Sequence, residues 1–162
     1  MWTTSGTGVF TNGNSLTPTY FPSITDKISG SVKLTITNFD LINLCQNAKD
    51  SMILTINQLA VANAGVDQTI TLPVSSASLT GSGTDTDGTI ASYAWSSISG
   101  PATIAFGSPT SATSTVTGMT VAGTYIIRLT VTDNSGATTT DDISIIVNPK
   151  PNEKPTANAG VD

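Results

Sequence analysis

A short acidic loop contains the residues of this sequence that could do chemistry. Residues 84–88 read Thr-Asp-Thr-Asp-Gly, so that one residue separates Asp85 from Asp87. Carboxylate and carbonyl oxygens are hard donors, which suit Ca²⁺ and not zinc or copper. The same loop is also explained without a metal, because Asp-x-Asp-Gly forms solvated turns in which carboxylates cap backbone amides. The sequence leaves both interpretations open.

Other kinds of catalytic or metal chemistry have little support. The 162 residues contain no histidine, which is the usual general base and the commonest ligand of transition metals. Serine is abundant, but it is not accompanied by the lysine or histidine that would activate it as a nucleophile. We therefore predict that the chain is not an enzyme.

The charge of the chain restricts its partners. The formal net charge is −5, with only six lysines and arginines. Nucleic-acid binding needs clustered basic residues for phosphate contacts, so no nucleic-acid partner is expected. No apolar run is long enough to span a bilayer, and the first residues lack the basic start and apolar core of a signal peptide.

Alternating apolar and polar residues predict the strands that would position the acidic loop. Residues 123–132 and 141–147 both alternate with a period of two, and Asp-Asn-Ser-Gly at 133–136 forms a turn near the end of the first run. The two runs therefore predict a long antiparallel hairpin. Its inward face would hold Tyr125, Ile127, Leu129, Val131, Ile143, Ile145 and Val147.

Shorter strands precede this hairpin in a unit that runs from Val61 to Pro149. The third of them has Trp95, and turn signals recur every 8–12 residues, a pattern typical of an immunoglobulin-like (Ig-like) sandwich. The predicted class is therefore all-β. The strands are expected at Gln68–Leu72, Ala77–Gly81, Ala91–Ser96, Thr103–Phe106 and Ser114–Gly118, followed by the hairpin.

The sandwich topology extends the candidate calcium site. At one end of such a fold lie the start of the unit, the loop between the second and third strands, and the loop of the last hairpin. This arrangement would place Asn63, Asp85, Asp87 and Asp133 near one another. The four side chains form the predicted set of calcium ligands.

Internal repeats divide the chain. The six residues Ala-Asn-Ala-Gly-Val-Asp occur verbatim at 62–67 and 157–162, which indicates that a module opens at each. Residues 30–36 align with the strand that starts at Gly123, and residues 50–56 align with 141–147. We predict four segments: residues 1–60 as the C-terminal half of an Ig-like repeat, 61–149 as a complete sandwich, 150–155 as a proline-rich linker and 156–162 as the first strand of another repeat.

The first segment is expected to have an open sheet edge. Met52, Leu54 and Ile56 would point inward, yet the opening strands that cover such a face are not among residues 1–60. We expect this segment to be ordered only if a neighbouring chain, or another part of the native protein, supplies the missing strands. Cys45 is either a small buried hydrophobe or one half of a disulfide, and the odd cysteine count favours the disulfide.

The middle unit resembles the PKD (polycystic kidney disease) domain, an Ig-like extracellular module. The resemblance rests on Asp-Thr-Asp-Gly-Thr-Ile at 85–90, Ser-Tyr-Ala-Trp at 92–95, Ser-Gly-Pro at 99–101, Gly-Thr-Tyr at 123–125 and Leu-Thr-Val-Thr-Asp-Asn-Ser-Gly at 129–136. The Gly-Asp-Gly that often follows the tryptophan of the family is missing. Some PKD domains bind calcium at this end, which the resemblance extends to Asp85, Asp87, Asp133 and Asn63.

Residues 2–56 resemble the second half of an Ig-like repeat of very long secreted proteins of Bacteroidota. The resemblance rests on residues 2–10, Tyr-Phe-Pro-Ser at 20–23 and Gly-Ser-Val at 30–32. In such repeats a cysteine near position 45 has a partner in the opening strands. The resemblance implies a secreted, surface-attached array of repeats.

Exposed aromatic residues would suggest a different function. Tyr93 and Trp95 could stack on a sugar, but a tryptophan on the third strand of such a sandwich is normally buried, so a core role is favoured. Tyr125 is expected to pack and to form a hydrogen bond in the hairpin. Lys33 alternates with apolar neighbours and is predicted to point outward.

These observations predict a structural spacer of a large extracellular adhesin or cell-surface filament built from Ig-like repeats. Its partners would be neighbouring repeats, with any glycan or protein ligand bound by other domains. The alternative function is an accessory PKD module of a secreted enzyme that degrades polysaccharide or protein.

Overall fold

The structure, a computed structural model, describes residues 1–38 and 48–152. The chain divides into two compact units, Met1–Gln58 and the residues from Leu59 onward. Strands make up the regular structure apart from one short helix in the described part of the chain, so the predicted all-β class is confirmed. Cys45 lies outside the described residues, and so do residues 153–162, which include half of the predicted linker and the whole predicted opening strand.

The first unit is a small antiparallel sheet with an added hairpin and helix. The sheet has the order β1-β4-β5, so β5 lies at an edge, and β2 pairs with β3. The elements are β1 (Trp2–Thr4), β2 (Val9–Thr11), β3 (Thr19–Phe21), α1 (Ile24–Ser29), β4 (Ser31–Asn38) and β5 (Ala48–Thr55).

The second unit is a sandwich of a four-stranded sheet, β10-β13-β14-β7, and a three-stranded sheet, β11-β12-β8, with β6 paired to β9. The hairpin is antiparallel, whereas β7 runs parallel to β14. The strands are β6 (Val61–Asn63), β7 (Gln68–Thr71), β8 (Ser76–Thr80), β9 (Ser82–Thr84), β10 (Ile90–Ser99), β11 (Ala105–Phe106), β12 (Thr113–Thr117), β13 (Gly123–Asp133) and β14 (Thr138–Asn148).

The predicted inward face of the hairpin is the core of the second unit. All seven apolar residues assigned to it are at most 2% exposed, and Trp95 of β10 packs in the same cluster. Such burial is the largest favourable contribution to folding. The tryptophan and the hairpin confirm the sequence interpretation, although β10 is longer than expected and residues 76–84 form two strands where one was predicted.

The two units share a strand register, as the internal repeat predicts. Residues 2–6 also resemble residues 95–100, which equates Trp2 with Trp95. The structure pairs each tryptophan with the corresponding residue of another strand of its sheet. The pairs are Trp2 with Ile36 in the first unit and Trp95 with Leu129 in the second, and likewise Gly30 with Ile56 and Gly123 with Val147.

The inward face of the sheet in the first unit is only partly covered. Val32 and Leu34 of β4 are buried, but Met52 of β5, predicted to point inward to a core, is 51% exposed. Its counterpart in the second unit, Ile143, is 1% exposed. Lys33 is exposed as predicted.

Helix α1 is a feature that sequence reasoning missed. Ser23 caps it by accepting a hydrogen bond from the Asp26 amide, while the Asp26 side chain accepts one from the Ser23 amide. This reciprocal arrangement is a capping box, and Ser-x-x-Asp was its visible sequence signal. No helix in the described part of the chain is long and apolar enough to cross a membrane.

Asp26 also organises the loops of the first unit. Its carboxylate is 2% exposed and accepts hydrogen bonds from the amides of Thr7 and Gly8, at 2.9 and 2.8 Å, and from the Tyr20 hydroxyl at 2.7 Å. Burial alone would raise the pKa of Asp26. The hydrogen bonds from Tyr20, Ser23 and Thr7 outweigh it and hold the pKa well below its ordinary value of 3.8.

Asp26 should make the first unit sensitive to acid. Because folding lowers the pKa of this carboxyl, its stabilisation is complete above the ordinary value of 3.8 and is lost as the pH falls through the lower folded value. We expect Asp26→Asn to destabilise the first unit at pH 7 and to flatten this acid dependence. Hydrogen exchange of the β4 amides at several pH values measures both effects.

Asp87→Asn is the matched control, because Asp87 is an exposed carboxylate of the second unit. It should leave the β4 amides unchanged. An unaltered acid dependence in Asp26→Asn would show that another group is responsible.

Candidate functional site

The acidic loop is joined to the turn of the hairpin. It follows β9 and leads into β10, where Ile90 pairs with Asp133. Asn134 fixes the two segments together: its Oδ1 accepts a hydrogen bond from the Thr89 amide at 2.9 Å, and its own amide donates to the Thr89 carbonyl at 2.9 Å. The predicted proximity of the loop and the hairpin turn is therefore present in the structure.

Asp133 is a buried cap of the hairpin turn. It is 1% exposed, and its Oδ1 accepts hydrogen bonds from the amides of Ser135 and Ala137, at 2.8 and 2.9 Å. Gly136 adopts a left-handed conformation in the same turn, with φ of 86°, which glycine adopts without strain. This geometry gives Asp133 a capping role, which the sequence had suggested only for the Asp-x-Asp-Gly loop.

Asp85 is the candidate ligand whose environment is least explained by hydrogen bonding. Its Oδ1 accepts a 3.3 Å bond from the amide of Asp87, while its Oδ2 is buried without a hydrogen-bond partner. A Cβ atom at position 88 would lie 2.6 Å from this Oδ2 and closer still to the side-chain oxygen of Asn134. Glycine at this position therefore lets the loop close over both oxygens.

Asn63 lies apart from the other predicted ligands. In the pairing of β6 with β9, Asn63 lies opposite Ser82, which is three residues before Asp85 in the chain. Three residues along a strand correspond to about 10 Å. The Asn63 Oδ1 instead accepts a hydrogen bond from the amide of Gly65 at 2.8 Å.

The geometry limits what this end of the second unit can do chemically. Within residues 1–38 and 48–152, no three acidic, histidine or cysteine side chains are close enough to hold a metal ion together. Asp87 is exposed, and Asp133 is a structural cap. A cation here would depend on Asp85 together with amide and carbonyl oxygens, and calcium binding stays a prediction.

Asn134 is the residue of this site that the sequence interpretation overlooked. The sequence pattern places Asn134 in the turn at 133–136, and the predicted set of calcium ligands does not include it. Its position next to Asp133 was the available signal, since asparagine side chains bond to nearby backbone in turns.

Tyr93, Trp95 and Tyr125 do not form an exposed platform for a sugar. Trp95 is 5% exposed, and its indole N–H donates to the Ser111 carbonyl at 3.0 Å. Tyr93 is half-buried and packs against the core. Tyr125 is fully buried, and its hydroxyl donates to the Val121 carbonyl at 3.0 Å. The packing roles predicted for Trp95 and Tyr125 are confirmed.

Comparison with known proteins identifies the second unit. A family model described as "K319L-like, PKD domain" matches residues 64–147. The solution structure of the PKD domain from KIAA 1837 protein is similar, with 35% sequence identity and a TM-score of 0.51 over 59% of this chain and 92% of that one. These matches confirm the PKD resemblance of the middle unit.

Similar curated proteins are much longer than this chain. The Dyslexia-associated protein KIAA0319 homolog of Rattus norvegicus is 41% identical over 104 residues, which cover 64% of this chain and 10% of that protein. The Dyslexia-associated protein KIAA0319-like protein of Mus musculus is 37% identical over 101 residues, covering 62% and 10%. The chain thus spans about a tenth of the length of these relatives.

Replacing Asp133 tests whether its role is structural. Asp133→Ala removes a charged acceptor from the amides of Ser135 and Ala137, and we expect a loss of about 1–3 kcal/mol in the free energy of unfolding. Urea denaturation in EDTA and in millimolar CaCl₂ should give the same loss. A loss confined to the calcium-containing samples would show that Asp133 is a ligand instead.

Proposed function

Because this chain belongs to the K319L-like PKD domain family, we propose that it is a structural spacer of a large extracellular adhesin or cell-surface filament built from Ig-like repeats. The observation that supports this function most directly is the repetition of one strand register in two successive units. A repeated unit that adds length without adding a catalytic site is what an array needs.

The absence of histidine from the 162 residues agrees with a non-catalytic function. The family that matches is described as a PKD domain, a description that names no catalytic activity. Burial of Trp95 argues against a sugar-binding function of this unit itself. The link of residues 2–56 to repeats of Bacteroidota surface proteins is part of our proposal, whereas the relatives named above are from rat and mouse.

An extracellular position is the part of this proposal that is easiest to test. Residues 149–152 are exposed and follow the last strand, so a broad-specificity protease can reach them. We expect protease treatment of intact producing cells to release peptides from both units, while a cytosolic marker protein stays intact. Release only after the cells are lysed would contradict an extracellular spacer.

Calcium binding by the acidic loop is a second proposal, supported by the buried and unpartnered Oδ2 of Asp85. Hard oxygen donors suit Ca²⁺, and extracellular modules bind it with a Kd on the order of 0.1–1 mM. An ion held by Asp85 would stabilise the folded state by mass action. It would also relieve the cost of burying this carboxylate oxygen.

Thermal denaturation tests this proposal. Ten millimolar CaCl₂ should raise the Tm of the whole chain relative to EDTA, because a ligand that binds only the folded state at about tenfold its Kd contributes about 1.4 kcal/mol. Asp85→Asn should abolish the shift, and Asp50→Asn in the first unit should keep it. No shift in the wild type, or equal shifts in wild type and Asp85→Asn, would remove the site.

A further inference from the structure

The opening segment of the second unit, Ala62–Thr71, covers the outer edge of β14. The Asp141 carboxylate accepts a hydrogen bond from the Ala64 amide at 2.8 Å, and the Ser144 amide donates to the Asp67 carboxylate at 2.8 Å. Strand β7 then pairs in parallel with residues 145–148. Ala64 is fully buried in this arrangement.

Strand β5 of the first unit has the corresponding groups at its outer edge. The shared register equates Asp50 with Asp141, Ile53 with Ser144, and Ile56 with Val147. Because the Ile56 amide bonds to the Gly30 carbonyl, the amides of Ile53 and Thr55 point away from β4. The first unit therefore has the Asp50 carboxylate as an acceptor, and the Ile53 and Thr55 amides as donors, at the positions where the second unit binds its opening segment.

The inner face beside this edge is open as well. Met52 is half exposed whereas its counterpart Ile143 is buried, and the indole N–H of Trp2 is buried without a partner whereas that of Trp95 is bonded. A cavity of about 100 Å³ lies between Trp2, Ile36, Asp50, Ser51 and Met52. An apolar segment placed here would cover surface that the second unit buries.

A second copy of β5 is a poor candidate to fill this edge. Antiparallel self-pairing would use the outward amide of Ser51, but the Asp50 side chain already accepts a hydrogen bond from that amide at 2.8 Å. Lys49 and Asp50 also place charges on the strand, a common protection of sheet edges. Residues 145–148 of the second unit pair with β7, and their counterparts in the first unit are residues 54–57. These residues lie beyond the charged positions 49 and 50.

We propose that the outer edge of β5 binds the opening segment of another Ig-like repeat, with the pattern Ala-Asn-Ala-Gly-Val-Asp followed by a short strand. The segment would run parallel to β5, with an alanine amide on Asp50, an aspartate on the Ile53 amide and an apolar residue opposite Ile56. This pattern occurs twice in the chain, at 62–67 and 157–162, so a segment of this sequence is not peculiar to one unit. The inference rests on the proposed spacer function.

Binding of a synthetic peptide with the sequence of residues 61–72 to the whole chain tests the inference. We expect saturable changes in the NMR signals of the Ile53 and Thr55 amides. Since hydrogen bonds to charged groups are worth about 1.5–3 kcal/mol, Asp50→Ala should weaken binding about tenfold or more. Asp87→Ala removes the same charge from the second unit and should leave binding unchanged. A peptide with Ala64→Glu should not bind, because the alanine at this position is fully buried in the second unit.

Four results would overturn the inference. They are no binding at millimolar peptide, equal binding by Asp50→Ala, signal changes at Ser144 and Ile146 that show exchange into the second unit, and self-association of the chain through β5 without peptide. The spacer function has a separate test, since protease accessibility on intact cells does not depend on whether this peptide binds.

Discussion

Burial of one face of the β13–β14 hairpin is the interaction on which the second unit depends. The seven apolar side chains of this face are at most 2% exposed, and each such burial contributes about 1.5–3 kcal/mol. A slip of one residue in the pairing would turn the whole apolar set of the slipped strand toward solvent, so the register is strongly specified. The hairpin in turn positions the capped turn at Asp133 and the acidic loop that Asn134 fixes to it.

The sequence was informative wherever the determining pattern is local. Alternation along 123–132 and 141–147 indicated the hairpin, and the residues around Trp95 indicated the family. The candidate site was harder, because side-chain proximity depends on pairing between distant segments. The register of β6 with β9 moves Asn63 away from Asp85, and burial converts Asp133 into a backbone cap. Neither effect is visible in the residues themselves.

The first unit shows the same limit. Its Ser-x-x-Asp signal was present, but the role of Asp26 depends on Thr7, Gly8 and Tyr20, which only the fold brings around it. The alternation along β5 places Met52 on the inward face of the sheet, and yet this side chain is half exposed. Alternation determines which face a residue lies on, but not whether another segment covers that face. The two units are therefore alike in register and different in the cover of their last strand.

This difference is the central claim of the account, and hydrogen exchange of the free chain, resolved by residue, tests it most directly. We expect slow exchange of the amides on both sides of β14, namely that of Ile145, which faces β13, and that of Ile146, which faces β7. In β5 we expect alternation, with protection at Leu54, which bonds to β4, and rapid exchange at Ile53 and Thr55. Protection of Ile53 and Thr55 equal to that of Leu54 would contradict the open edge.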